Sequence, residues 1–225
     1  MGLFDNWVKA IDGIINGNKV DSKKYVDTDE QAFLESIPHG QIFVGLTADR
    51  FVDPYDKSQP LMERLTDALR GGIRSFSGSY WQHAIIGMKF EDDVYIIESV
   101  VPKIAKNKLS IYFEPKNQLK LFFPPLTHKE SLEIWKRAET KIGLKYDFLE
   151  LYDKVSMLGK FGIRFGNKKS PVCHALAKFA FEPFFNVLDP KLKYRDTAPG
   201  SINQWLQPNP DVKMLVYNLD PKQHN

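Results

Sequence analysis

The sequence predicts the α+β class, with an antiparallel sheet packed against segregated helices. Two observations carry this. Four β-rich runs follow one another between residues 83 and 123, joined by turns short enough for hairpins, and helical stripes with start and stop signals lie outside that meander. A third bounds the size. The 225 residues, 43% hydrophobic and 26% charged, suffice for one large domain with a proper core.

Residues 3–15 place Leu3, Phe4, Trp7, Val8, Ile11, Ile14 and Ile15 at helical spacing, so residues 1–19 read as a short amphipathic helix. Such a helix packs on its own domain, docks on a partner chain, or lies at a membrane surface. The polar stretch 20–35 reads as a linker, 36–219 as the main domain and 220–225 as a tail. After the turn Pro38-His39-Gly40, a strand is expected to begin near Gln41. "DKSQPLMERLTDALRGG" (56–72) predicts a helix capped by Ser58, with Leu61, Leu65 and Leu69 as its stripe. "IRSFSGSYWQ" (73–82) is a Gly/Ser-rich loop that enters the next strand.

The meander comprises "HAIIGMKF" (83–90), "DVYIIESV" (93–100), "KLSIYFE" (108–114) and "QLKLFF" (118–123). The lysine-rich run 106–120 reads as solvated strand faces. A helix within 124–143 follows, with Thr127 and Glu130 at capping-box spacing. Leu132, Trp135, Ala138 and Ile142 form its stripe, and Gly143 its stop. Another helix starts at Ser170, and "VKMLVYNL" (212–219) is a last strand.

Composition narrows the function. Lys and Arg exceed Asp and Glu by three, 31 against 28, too small an excess to indicate a nucleic-acid partner. There is no HExxH, no CxxC and no Cys or His pair at ligand spacing, so no metal is expected. "GKFGIRFGNKKS" (159–170) lacks phosphate-loop spacing, and no dinucleotide fingerprint is present, so no cofactor is expected. The start of the chain carries no basic leader before an apolar core, and no apolar run reaches membrane-spanning length. A cytoplasmic protein, or one peripheral to a membrane or assembly, is expected.

The single cysteine is Cys173, within "SPVCHALAKFAF" (170–181). Ser170 suits an N-cap and Pro171 the first helical position, which puts the sulfur in the first turn. Free backbone N–H groups and the helix dipole favour an anion there. A lone cysteine is also a common small core residue, so a base must be found. Of the five histidines, His224 lies in the tail, His128 at a helix start and His39 in a turn. His174 adjoins the cysteine but points about 100° away around the helix. His83 opens a strongly apolar strand, where an imidazole needs a reason. Glu98 ends the next one. With an even-numbered hairpin loop, residues whose numbers sum to an odd value share a face, and 83 + 98 is odd. Glu98 would then orient the His83 imidazole, as the third member of a nucleophile–base–orienter set. A structural His–Glu pair is the alternative.

These elements, in this order, resemble the circularly permuted papain-like amidases of the NlpC-like superfamily, which includes lecithin:retinol acyltransferase-like enzymes. The resemblance covers roughly residues 36–205. It rests on "PHGQIFVGL", "WQHAIIGM", "VYIIESV", "GLKYD" and a cysteine at a helix start, with the His strand before the Cys helix. It implies a permuted papain-like fold, an antiparallel sheet or small barrel against helices. It implies Cys173 as nucleophile, His83 as base and Glu98 as third residue, with Tyr146, beside Asp147, at the site. The family's turn usually reads Pro-Gly-Asp, and a Ser commonly follows the cysteine. Here Pro38-His39-Gly40-Gln41 and His174 stand instead.

The function expected is a cysteine hydrolase, of amidase or thiol-protease type, cleaving amide or ester bonds. A bacterial or phage setting is expected, with cell-wall peptides of peptidoglycan, or lipid-linked or N-acyl amides, as substrates, and an acyltransferase is a variant of the same chemistry. The loop before His83 would shape the cleft, with Arg74 and Trp81 as substrate contacts. The rival reading is a catalytically silent structural or adaptor protein, docking a membrane or a protein partner through residues 3–15.

Overall fold

The structure is a computed structural model that describes residues 29–49, 81–100, 102–114, 117–145, 173–184 and 199–218. The helices expected over 3–15 and 56–72, most of the loop 73–82 and the segment 159–170 lie outside the described residues.

The architecture is α+β, as expected. Strands β1 (Ile42–Asp49), β2 (His83–Phe90), β3 (Asp93–Ser99), β4 (Ile104–Lys108), β5 (Asn117–Phe123) and β6 (Lys213–Tyr217) form one antiparallel sheet in the order β4-β3-β2-β1-β5-β6. Helices α1 (Glu30–Ser36), α2 (His128–Glu139), α3 (Cys173–Phe181) and α4 (Pro199–Leu206) cover it.

Alternation along the strands splits the core in two. One face carries Val44, Leu46, Ala84, Ile86, Met88, Ile97 and Phe122. It packs against Ile134, Trp135 and Ala138 of α2, Leu176, Ala180 and Phe181 of α3, and Ile202 and Leu206 of α4. The other carries Phe43, Ile85, Ile96, Leu119, Leu121 and Phe123, beneath Phe33 and Ile37 from the N-terminal segment. Both faces are buried, which explains strands that read as nearly continuous apolar runs.

α1 shows that residues 30–35, read as the end of a linker, are helical. Asp29 caps it by accepting from the backbone N–H groups of Gln31 and Ala32, and Phe33 enters the second core. There the Phe33, Phe113 and Tyr217 rings pack with centroids 4.9–6.0 Å apart. α2 starts on the expected capping box, Thr127 with Glu130. It ends earlier than its stripe implied. Residues 140–142 continue in tightened turns, Gly143 takes φ +87°, and Ile142 is exposed rather than part of the buried stripe.

The run 108–114, expected as a strand, divides differently. β4 occupies Ile104–Lys108, and Leu109–Tyr112 form a 3₁₀ helix. The chain must cross from the β4 edge to the far side of β1, where β5 pairs. The 3₁₀ turn makes that crossing over the second face, dropping Leu109 and Tyr112 into its core. Lys106 and Lys108 are solvated on the edge strand, as expected, but Lys120 is 1% exposed. Its Nζ donates to Gln207 Oε1 at 2.8 Å and lies over the Trp81 and Phe122 rings, and burial holds its pKa below the ordinary lysine value.

The β1–β2 pairing that seats His83 relies on Gly87 standing opposite Phe43, where an added Cβ would collide with the Phe43 ring. Phe43 is fully buried and has no room to yield. Gly87→Ala is expected to lower unfolding free energy by about 1–3 kcal/mol in urea denaturation, the range for overpacking. An unchanged midpoint would contradict this packing.

Candidate active site

His83 and Glu98 meet across the β2–β3 hairpin. The two-residue turn Glu91-Asp92 is even-numbered, Ile85 pairs with Glu98, and the diagonal neighbour on the same face is His83. His83 Nε2 and Glu98 Oε2 lie 2.9 Å apart, with Glu98 1% exposed and His83 9%. Nε2–H donates to the carboxylate, which leaves Nδ1 as the ring nitrogen open to another partner.

Cys173 is a further partner of the ring: its side chain hydrogen-bonds the His83 imidazole, and the residue is 3% exposed. Three residues far apart in the sequence are thereby brought together. α3 reaches this position because Leu176, Ala177, Ala180 and Phe181 lock it onto the first face. Its far end is clamped by Arg137, whose Nη2 donates at 3.0 Å to both the Phe179 carbonyl and Glu182 Oε2. A cation on the last-turn carbonyls also complements the helix dipole. The expected cap, Ser170 with Pro171, lies outside the described residues.

Glu98 is held by more than the imidazole. Tyr112 Oη donates to Oε2, and Asn107 Nδ2 donates to Oε1 at 2.8 Å. The 3₁₀ crossing delivers Tyr112, while β4 pairing puts Asn107 opposite Ile96, on the face of Glu98. Sequence reasoning missed both. Tyr112 was hidden in a run read as strand. Asn107 was discoverable, since moving the strand to 104–108 puts it on the Glu98 face by the same parity argument.

The electrostatics favour an ion pair at the centre. Burial pushes the His83 pKa down, but negative charge and a hydrogen bond from Cys173, with the same from Glu98, outweigh it and raise it from 6.5 to about 9. Burial pushes the Glu98 carboxyl up. The hydrogen bond and charge of His83, then the Tyr112 and Asn107 donors, more than offset this and hold it below its ordinary value. A charged imidazolium beside an ionised Glu98 carboxylate is the state these shifts support.

Two other histidines, His39 and His128, do structural work. His39 Nε2 accepts from the Glu91 backbone N–H at 2.9 Å, and His128 Nδ1 donates to the Gly40 carbonyl at 2.9 Å. Gly40 takes φ +66°, and a Cβ there would meet the His128 ring at 2.6 Å, so the turn needs glycine. Trp81, expected as a substrate contact, is 3% exposed and part of the first core. Arg74, Tyr146 and Asp147 lie outside the described residues. Among the described residues, no three His, Cys, Asp or Glu side chains gather as a metal site would require, and no helix is long and apolar enough to cross a membrane. No family model matches this chain, and a search of curated proteins returns no match.

The raised His83 pKa makes stability pH-dependent in a defined direction. A group whose folded pKa exceeds its unfolded one stabilises fully below the unfolded value, 6.5, and that contribution is lost as pH rises through about 9. Urea denaturation is expected to show stability falling across this window, with a flatter profile in His83→Gln. A profile identical in the two proteins would contradict the assignment.

Proposed function

We propose that this chain is a cysteine hydrolase of amide or ester bonds, built on a permuted papain-like fold. The observation that carries the reading is the buried chain of contacts Cys173–His83–Glu98, in which the imidazole interacts with both the cysteine side chain and the carboxylate. Support comes also from the order of elements: the His strand and Glu strand precede the Cys helix, as the permuted branch requires.

In this mechanism the Sγ proton moves to His83 Nδ1 and the thiolate attacks the substrate carbonyl carbon, forming a C–S bond. The oxyanion is met by N–H groups in the first turn of α3. His83 then protonates the leaving amine or alcohol as the C–N or C–O bond breaks. Water attacks the thioester, gives its proton to His83, and the C–S bond breaks to release the acid. Glu98 stays ionised and holds the ring through both proton transfers. An acyl acceptor other than water turns the same sequence into transfer. Wall peptides and N-acyl or lipid-linked amides are the substrate classes this chemistry serves.

The experiment is acyl-enzyme trapping with an activated ester, followed by intact mass spectrometry. The expected result is one acyl group on Cys173, with the acylation rate reduced about 100- to 10,000-fold in His83→Ala, the range for loss of a general base. Glu98→Gln keeps the shape but removes the charge, and is expected to slow acylation by a smaller factor. Slow acylation that is indifferent to His83 would instead favour the silent adaptor.

A further inference from the structure

A second site lies at the other end of the β2–β3 hairpin. β2 runs from His83 to Phe90, eight residues spanning about 23 Å from end to end, so this region is remote from Cys173. There the hairpin turn and α2 line an open cleft of about 650 Å³. This is within the usual range for small-ligand sites.

Its floor is aromatic. The Phe90 ring lies 5.2 Å from Trp135 and 6.4 Å from Tyr95, centroid to centroid, in tilted or edge-on contacts. The wall and rim are mostly acidic: Glu91, Asp92, Asp93 and Glu139 stand against Lys106 and Lys136, four carboxylates to two ammonium groups. Asp93 is already neutralised by Lys108 at 2.8 Å. Glu91 and Asp92 are exposed at the turn and make no ion pair among the described residues.

The cleft already holds one cation. Lys106 Nζ lies 5.1 Å above the Tyr95 ring and 5.2 Å above the Trp135 ring, with Glu139 as counter-ion at 3.2 Å. Both partners of that ion pair are more than a third exposed, so solvent screens it and the lysine is weakly held. An ammonium group over two ring faces, beside a carboxylate, is the arrangement by which organic ammonium ligands are recognised.

We propose that this cleft binds an organic ammonium ligand, which displaces the Lys106 head from the Tyr95 and Trp135 rings and takes Glu139, with Glu91 and Asp92, as its counter-charge. Lys106 is the tethered stand-in for that ligand. The turn carboxylates, without an ion pair among the described residues, supply the charge that attracts it, and the displaced lysine swings into solvent from an edge strand at little cost.

The test follows the Trp135 indole resonance of the full chain during titration with three probes: choline, N-acetyl-lysine amide and dimethylbutanol, the neutral isostere of choline. Both ammonium probes are expected to shift the resonance, and dimethylbutanol to leave it unmoved. Lys106→Ala removes the internal competitor and is expected to tighten ammonium binding about two- to fivefold, as for a cation–aromatic contact at an exposed site. Glu139→Gln is expected to weaken the lysine probe more than choline, because only a primary ammonium donates to the carboxylate. The tighter ammonium probe identifies the source, a peptide side chain or a quaternary headgroup. Absence of binding by both, equal binding of dimethylbutanol, or an unchanged affinity in Lys106→Ala would overturn the proposal.

Discussion

The contact between His83 and Glu98 is the constraint around which the rest is arranged. A carboxylate and an imidazole buried this deeply cost several kcal/mol each in lost hydration unless every polar atom finds a partner. Glu98 has three: the His83 ring, the Tyr112 hydroxyl and the Asn107 amide. Each comes from a different element, so the carboxylate is satisfied only when β2, β4 and the 3₁₀ crossing are all in place. The sheet order serves this arrangement. Because β5 pairs with β1 and not with β4, the connection must cross the sheet, and Leu109 and Tyr112 take it over the face where Glu98 lies.

The two faces of the sheet divide the labour. The second core, with the rings of Phe33, Phe113 and Tyr217, fixes the crossing that carries Tyr112. The first core holds α3 through Leu176, Ala180 and Phe181, while Arg137 anchors its far end. Cys173 belongs to a helix packed on one face, and Glu98 to the other. His83, the first residue of β2, joins them at the end of the strand. The aromatic cleft at the opposite end of the same hairpin uses the first face again, through Tyr95 and Trp135. One hairpin therefore carries the His83–Glu98 pair at one end and lines an aromatic, acidic cleft at the other.

Much of this was legible in the residues, for reasons that can be named. The His83–Glu98 pairing followed from strand parity and an even turn, both local properties. The start of α2 followed from Thr127 and Glu130, and the α+β class from the order of patterns. What escaped depended on distant contacts. Lys120 lies in a lysine-rich run that pattern alone assigns to solvent. Only the approach of Gln207 and Trp81 shows how a buried ammonium is accommodated. Tyr112 sits in a run whose β propensity is strong, yet the crossing from β4 to β5 imposes a 3₁₀ turn. α1 was obscured because a single buried ring, Phe33, is too weak a period to distinguish a seven-residue helix from a linker.

The central claim is that the proton of Cys173 resides on His83 near neutral pH. Thiolate ultraviolet absorbance, taken as the difference between the protein and Cys173→Ala across a pH titration, measures this directly. The account predicts a thiolate signal already developed at neutral pH and lost there in His83→Gln. A signal that grows in only near pH 8.5, the ordinary cysteine value, and does so equally with and without His83, would contradict it.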